Sequence, residues 1–228
     1  MQPRAAILDV DGTLVDSNYE HVRAWHEVLD EHGYHVPQAA IHRGIGMGGD
    51  KLVPHLLRCE EDDPVVKQLG EAHGERFKER YLDEIRPLPC AREFVRRLKE
   101  SGYRVCLASS AHRHELDRHV EKLGVGELLD GSTCKEDVSE SKPEPDIFAA
   151  ACERVGVEPA NAVLVGDSVW DGEAGKKLQM TFVGLLTGGF GAEELRAASA
   201  AAVYPDLRAL LEEWERSPFR RESLRAAA

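Results

Sequence analysis

Asp9-Val10-Asp11-Gly12-Thr13 sets two carboxylates on either side of one valine, directly behind the apolar run Ala5-Ala6-Ile7-Leu8. The run reads as a buried strand, and the two acids at its end are expected to point to opposite faces. Gly12 lets the chain turn sharply after them. Further polar groups stand in comparable places. Ser109-Ser110 and Gly166-Asp167-Ser168 close later apolar runs, Asp171 follows four residues after Asp167, and Lys142-Pro143 ends the polar loop Glu136 to Ser141. A hydroxyl, an ammonium and four carboxylates are thereby expected near the carboxyl ends of strands, where open α/β sheets bind ligands. Carboxylates gathered without a counter-charge resist ionisation, so the set calls for a cation or a catalytic step that uses it.

Holding these groups together requires a parallel sheet, and the pattern supplies one. Short β-like runs alternate with amphipathic helical stretches, as in βαβ units. The expected strands are Arg4–Leu8, Tyr103–Ala108, Ala162–Val165, Thr181–Leu186 and, more weakly marked, Ala201–Tyr204. Helices are expected around Ala91–Ser101, Arg113–Leu123, Asp146–Val155, Asp171–Leu178, Glu193–Ala198 and Asp206–Glu215. From Ser17 to Arg86 the alternation stops and no good strand appears. Helical patterns fill the interval at Asn18–His32, Lys51–Arg58 and Asp63–Glu84, the last with a break expected near Gly70 or Gly74. Val22, Trp25 and Leu29 recur at helical spacing and read as helix packing. The expected architecture is an α/β Rossmann-like parallel sheet core, residues 1–16 and 87–228, with an all-helical cap, residues 17–86, inserted after the first strand.

Composition narrows the partners. The chain has 228 residues, is 42% hydrophobic and 31% charged, and carries a net charge of −12, which argues against nucleic acid or an anionic membrane as the main partner. No run approaches the ~18 apolar residues of a membrane span, and Met1-Gln2-Pro3-Arg4 has no signal-peptide pattern. Cys59, Cys90, Cys106, Cys134 and Cys152 are scattered and odd in number, so they read as reduced cysteines of a cytoplasmic protein. The tail with Arg220, Arg221 and Arg225 against Glu222 reads as a loosely ordered end.

Taken in order, Asp9-Val-Asp-Gly-Thr-Leu-Val-Asp, Ser109, Lys142-Pro143 and Gly166-Asp-Ser-Val-Trp-Asp171 resemble the four motifs of the haloacid-dehalogenase-like phosphohydrolases, over almost the whole chain. Helices directly after the first motif are similar to the cap of the phosphoglycolate-phosphatase-like and β-phosphoglucomutase-like branch. The resemblance implies a Mg²⁺-dependent phosphatase acting on a small phosphorylated metabolite. It implies Asp9 as nucleophile and metal ligand, the Asp11 carbonyl and Asp167 as further ligands, and Asp171 as direct or water-mediated support. It makes Lys142 the counter-charge to Asp9, Ser109 a donor to the transferring phosphoryl group, and the Asp11 side chain the proton shuttle. Ser110 is taken with Ser109 as substrate-binding. Thr13 is expected to orient the first loop; for Asp171 the N-cap of its own helix is the competing reading.

The cap is less tightly specified. His21 lies one turn before Trp25, so the two share a face, and it is similar to a histidine that gates the site in the mutases; a packing histidine is the competing reading. Ile45-Gly-Met-Gly-Gly-Asp50 resembles the cap loop that reaches the active site, which makes Gly48 a substrate-binding position. Where the mutases carry an arginine, this loop has Met47 and Gly48, with only Arg43 and Lys51 nearby. The alternatives are a sugar phosphomutase and, from another class, a non-catalytic phosphate-binding switch. A dehalogenase lacks the second acid that Asp11 supplies, and a phosphonate hydrolase needs a cap lysine. The loop lacks the ending of a nucleotide P-loop, Gly188-Gly-Phe-Gly191 reads as a tight turn, and His112, His114 and His119 read as a solvated helix start. A monomer or homodimer is expected.

Overall fold

The computed structural model describes residues 4–220, so Arg221, Glu222 and Arg225 of the tail, and Met1 to Pro3, lie outside the described residues. In chain order the strands are β1 (Ala5–Leu8), β2 (Val15–Asp16), β3 (Arg86–Pro87), β4 (Arg104–Ala108), β5 (Gly131–Thr133), β6 (Ala162–Gly166), β7 (Thr181–Leu185) and β8 (Ala200–Tyr204). Six of them form one parallel sheet in the order β5-β4-β1-β6-β7-β8. The expected α/β Rossmann-like sheet is therefore present, with β1 at its centre and the reversal of strand order beside it.

Burial explains why β1 and β6 are unbroken apolar runs. Every residue of both is buried, as parallel strands covered on two faces require. Alternate side chains feed two cores: Ala6, Leu8, Val163 and Val165 pack on one face, and Ala5, Ile7, Ala162 and Leu164 on the other. The covering helices are α5 (Ala91–Glu100), α6 (Arg113–Leu123), α7 (Asp146–Arg154), α8 (Val169–Lys177), α9 (Ala192–Ala197) and α10 (Leu207–Glu212), numbered after four earlier ones.

Those four are α1 (Asn18–Glu31), α2 (Gln38–Gly44), α3 (Gly49–Leu57) and α4 (Pro64–Arg80), which lie between β2 and β3. They pack around their own apolar cluster, which includes Val22, Trp25, Leu29, Ile41, Leu52 and Leu69. The sequence reading missed α2, which Pro37 opens without a side-chain cap. It also missed β5, a three-residue edge strand, and the antiparallel pair of β2 with β3, whose Arg86 falls in the interval read as strand-free. Helix α4 runs unbroken through Gly70 and Gly74. A helical glycine costs about 1 kcal/mol relative to alanine, and a Cβ at Gly70 would meet nothing within 4 Å, so no contact demands glycine there. Burial of Val66, Leu69 and Phe77 along the same helix outweighs the propensity.

Candidate active site

The groups singled out in the sequence converge at the carboxyl end of β1. Lys142 Nζ donates to Asp9 Oδ1 at 2.7 Å and to Asp171 Oδ1 at 2.9 Å. Thr13 Oγ1 donates to Asp167 Oδ1 at 3.0 Å and lies 3.3 Å from Asp9 Oδ2. Asn18 Nδ2 donates to Asp167 Oδ2 at 2.8 Å. Thr13 thus holds the first loop against β6, as its position suggested. Asp9, Thr13, Lys142, Asp167 and Asp171 are all buried.

Asp171 is not the N-cap of its helix. Helix α8 starts at Val169, so Ser168 is the N-cap and Asp171 the third helical residue, accepting from Ser168 N–H and Oγ in a capping box. Its two oxygens are thereby engaged, one by Ser168 and one by Lys142.

Asp11 faces elsewhere. It accepts from Ser17 Oγ at 2.6 Å and from Ser109 Oγ at 3.3 Å, and His21 Nε2 lies 3.3 Å from its Oδ1. The two acids of the first motif do diverge, but strand alternation is not the cause. It would put residues two apart on one face. The strand ends at Leu8, and Gly12 turns with φ +71°. No side chain fits at Gly12, where a Cβ would lie 2.3 Å from an Asp167 oxygen and 2.4 Å from Asn18 Nδ2.

The cavity beside these residues has a volume of about 90 Å³. One water needs ~10–15 Å³ on this scale, so there is room for a small molecule and none for a protein segment. Asp9, Asp11, Lys142 and Asp167 border it from the sheet side, with Ser110. His21, Trp25, Gly48 and His73 border it from the four helices. Ser109 is fully buried behind Ser110, accepting from Ala111 N–H at 3.1 Å while donating to Asp11. His21 stacks on Phe77 with ring centroids 3.8 Å apart, and Trp25 stacks on His73 at 4.1 Å.

Electrostatics separate the two acids further. Burial raises the Asp9 pKa well above the ordinary value, Lys142 opposes this, and Asp171, Asp167 and Asp11 add to it. Burial and the Asp171 charge likewise push Asp167 up, to about 7. Burial also disfavours a charged Lys142, but Asp171 and Asp9 outweigh it and hold the ammonium above its usual range. For Asp11, burial is outweighed by the His21 hydrogen bond and by the charges of His21 and His119, which hold the carboxyl well below its usual range. His21 is raised in return: burial opposes its charge, and the bond to Asp11 prevails. Burial and the neighbouring His21 charge keep His73 neutral. A cationic His21 donates from both nitrogens, to Asp11 and to His73 Nε2 at 3.4 Å.

The donor set suits a hard divalent cation. Carboxylate oxygens of Asp9, Asp167 and Asp171 lie within 4.8 Å of one another. Three carboxylates against one ammonium leave the group short of positive charge, and all the donors are oxygen, as Mg²⁺ requires. The backbone is shaped to leave this space: a Cβ at Gly188 would sit 1.8 Å from Asp167 Oδ2. Gly188 also closes the Gly188–Gly191 turn, where His42 Nε2 meets its carbonyl at 2.8 Å.

Beyond Ser17 and Asn18, three further residues escaped the sequence reading. His119, taken as part of a solvated helix start, is fully buried 3.7 Å from Asp11 Oδ1. Its spacing from Leu116 and Leu123, three and four residues, marks the buried face of α6. Glu115 is buried on the same face, one turn earlier, and borders the cavity. His73 had only its neighbouring glycines, Gly70 and Gly74, as a signal.

A parallel α/β sheet with buried acids at its switch point, under a layer of helices, defines a Rossmann-like enzyme core. Residues 3–179 match the haloacid dehalogenase-like hydrolase family, and the chain belongs to that family. A hydrolase from Pseudomonas syringae has the same fold with a TM-score of 0.87 and 34% identity, over 94% of this chain and 99% of that one. Phosphoglycolate phosphatase of Pseudomonas putida is 27% identical over 217 residues, 92% of this chain and 79% of the relative. The fold of the β-phosphoglucomutase of Clostridium difficile matches with a TM-score of 0.80 at 20% identity, over 96% of this chain and 97% of that one. The relatives thus fall in the branch that the four motifs resemble, and the chain is a phosphoric monoester hydrolase.

Proposed function

We propose that this hydrolase is a Mg²⁺-dependent phosphatase of a small phosphorylated metabolite and works through an aspartyl-phosphate. The observation that carries the reading is the division of labour in the first motif: Asp9 is bound to Lys142, and Asp11 is turned to His21, Ser17 and Ser109. Residues 17–86 would act as a cap on the core of residues 1–16 and 87–228, a role supported by the separate apolar cluster of α1 to α4.

Asp9 and Asp167, with the main-chain carbonyl of Asp11, would hold Mg²⁺, and Asp171 would back them through Lys142. The cation supplies the charge neutralisation that lets a carboxylate approach an anionic ester. In the first step an Asp9 oxygen forms a bond to phosphorus as the ester P–O bond breaks, and the leaving oxygen takes a proton through Asp11, supplied by the cationic His21 bonded to that carboxylate. In the second step water attacks phosphorus, Asp11 takes a proton from it, and the Asp9–phosphorus bond breaks to release phosphate. Lys142 holds Asp9 in line throughout. Ser110, at the cavity wall, is better placed than Ser109 to touch substrate; Ser109 orients Asp11.

The mutase alternative is weakened by the cap. Among the described residues, the cavity wall contributed by α1 to α4 and their loops contains no lysine or arginine. Arg43 is paired with Glu194, and Lys51 with Glu61 and Glu140. Membership in a hydrolase family leaves the phosphate-binding switch without support. A cytoplasmic enzyme fits the five free cysteines, and no helix among the described residues is long and apolar enough to cross a membrane. A panel of phosphorylated metabolites, assayed for phosphate release with and without a chelator, tests the reading. Metal-dependent release is expected; activity indifferent to chelation overturns it.

A further inference from the structure

Glu115 is the third helical residue of α6, whose N-cap is His112. A glutamate there ordinarily reaches back to the N-cap N–H and closes a capping box. The His112 side chain makes no cap bond, and it is Glu136, from outside the helix, that accepts from Arg113 N–H. The glutamate instead borders the cavity that Asp11 also borders, at 3% exposure. Among the described residues its carboxylate accepts no hydrogen bond, and its one ion-pair neighbour within 4 Å is His114 Nε2 at 3.7 Å. Burial lowers the His114 pKa, which weakens that pair. Burial also pushes Glu115 up, to about 7, against the charges of His21, His112 and Lys135. Neither Glu115 oxygen is sealed off from solvent, so the carboxylate opens at the cavity wall without a protein donor, and its placement beside Asp11 points to a donor that arrives with the substrate.

We propose that Glu115 selects the leaving group: the cavity takes phosphomonoesters whose alcohol carries a second hydrogen-bond donor, a hydroxyl or an ammonium, within reach of Glu115. This rests on the phosphatase reading above. Asp11 would face the ester oxygen and Glu115 the far end of the same small alcohol. A hydroxyl is satisfied by either protonation state of Glu115, and an ammonium by the ionised one.

The test uses the full chain with Mg²⁺ and three esters: propyl phosphate, glycerol 3-phosphate and 3-aminopropyl phosphate. Wild type should favour at least one donor-bearing ester over propyl phosphate by about tenfold or more in kcat/KM, the size of one hydrogen bond to a charged acceptor. In Glu115→Ala that ratio should collapse to about one, mainly through KM. Glu115→Gln, nearly isosteric, should keep a hydroxyl preference through its amide oxygen and lose an ammonium preference, which tells the two donors apart. Circular dichroism checks that both variants fold. Release of phosphate from all three esters without preference overturns the assignment of Glu115 alone. So does an equal loss on every ester in the variants. Release from none of them overturns the phosphatase reading, and this inference with it.

Discussion

Lys142 Nζ lies 2.7 Å from Asp9 Oδ1, with the two side chains 2% and 5% exposed. The same ammonium serves Asp171, so one buried cation faces three buried acids. Removing one partner of a buried ion pair typically costs ~3–5 kcal/mol. Lys142→Met should therefore lose turnover and a large part of the stability, as read by urea unfolding. The loss should shrink toward acid pH, where Asp9 can take up a proton. A loss independent of pH would show that the pair is not the source.

Asp9→Asn should abolish phosphate release, because no nucleophile remains. Asp11→Asn should slow turnover by about 10²–10⁴-fold, the usual worth of a general acid–base, and let the phosphorylated chain accumulate. Intact-protein mass spectrometry after mixing with substrate reads this directly. Phosphorylated Asp9→Asn protein would remove Asp9 from its role.

Gly188→Ala should disable the acid cluster without touching an acid. The new Cβ would sit 1.8 Å from Asp167 Oδ2, so the carboxylate or the turn must move. Turnover should fall about tenfold or more, and the thermal shift produced by Mg²⁺ should shrink. A variant with wild-type rates and an unchanged Mg²⁺ shift would show that Asp167 is not held where the reading needs it.

Glu115 gives a pH dependence whose sign is fixed by its environment. Its pKa rises from 4.5 to about 7 on folding, so the folded state binds the extra proton between those values and stability falls as pH rises through them. Below about 4.5 both states are protonated and no penalty exists. Above about 7 the penalty is complete, of order 3 kcal/mol at ~1.4 kcal/mol per pKa unit. Glu115→Gln should thus melt at a higher temperature than wild type at pH 8 and at nearly the same temperature at pH 4.5. A variant less stable than wild type at pH 8 would show that the carboxylate has a stabilising partner.

The sheet was legible where burial dictates composition. Ala5–Leu8 and Ala162–Gly166 lie under helices on both faces and leave little room for polar residues. Gly131–Thr133 carries no such mark, because its pairing is imposed by β4 and by Asp130, whose carboxylate accepts from Val105 N–H at 2.7 Å. The same limit appears in α4, where Gly70 reads as a breaker although buried Val66, Leu69 and Phe77 carry the helix through it. Asp9, Lys142 and Asp167 could be picked out because each follows a strand or its loop and carries a charge that needs a reason. Glu115 could not, since a glutamate in a first helical turn is ordinary, and only the absence of its cap bond makes it unusual. His119 reads as solvated from its nearness to the helix start, whereas its spacing from Leu116 and Leu123 sets it on the buried face of α6.

The pairing of β2 with β3 has its own consequence. Val15 stands opposite Pro87 and Asp16 opposite Arg86, so the chain leaves the sheet and returns to it at neighbouring points. For the sheet, everything between Asp16 and Arg86 is a closed loop, and doubling the length of a loop adds only about 0.6 kcal/mol to its closure. Helices can be lengthened, shortened or exchanged between those two residues while the register of β1 with β4 and β6 stays as it is. The ribbon is a splice point, at which new specificity can be inherited without disturbing the acids gathered at the end of β1.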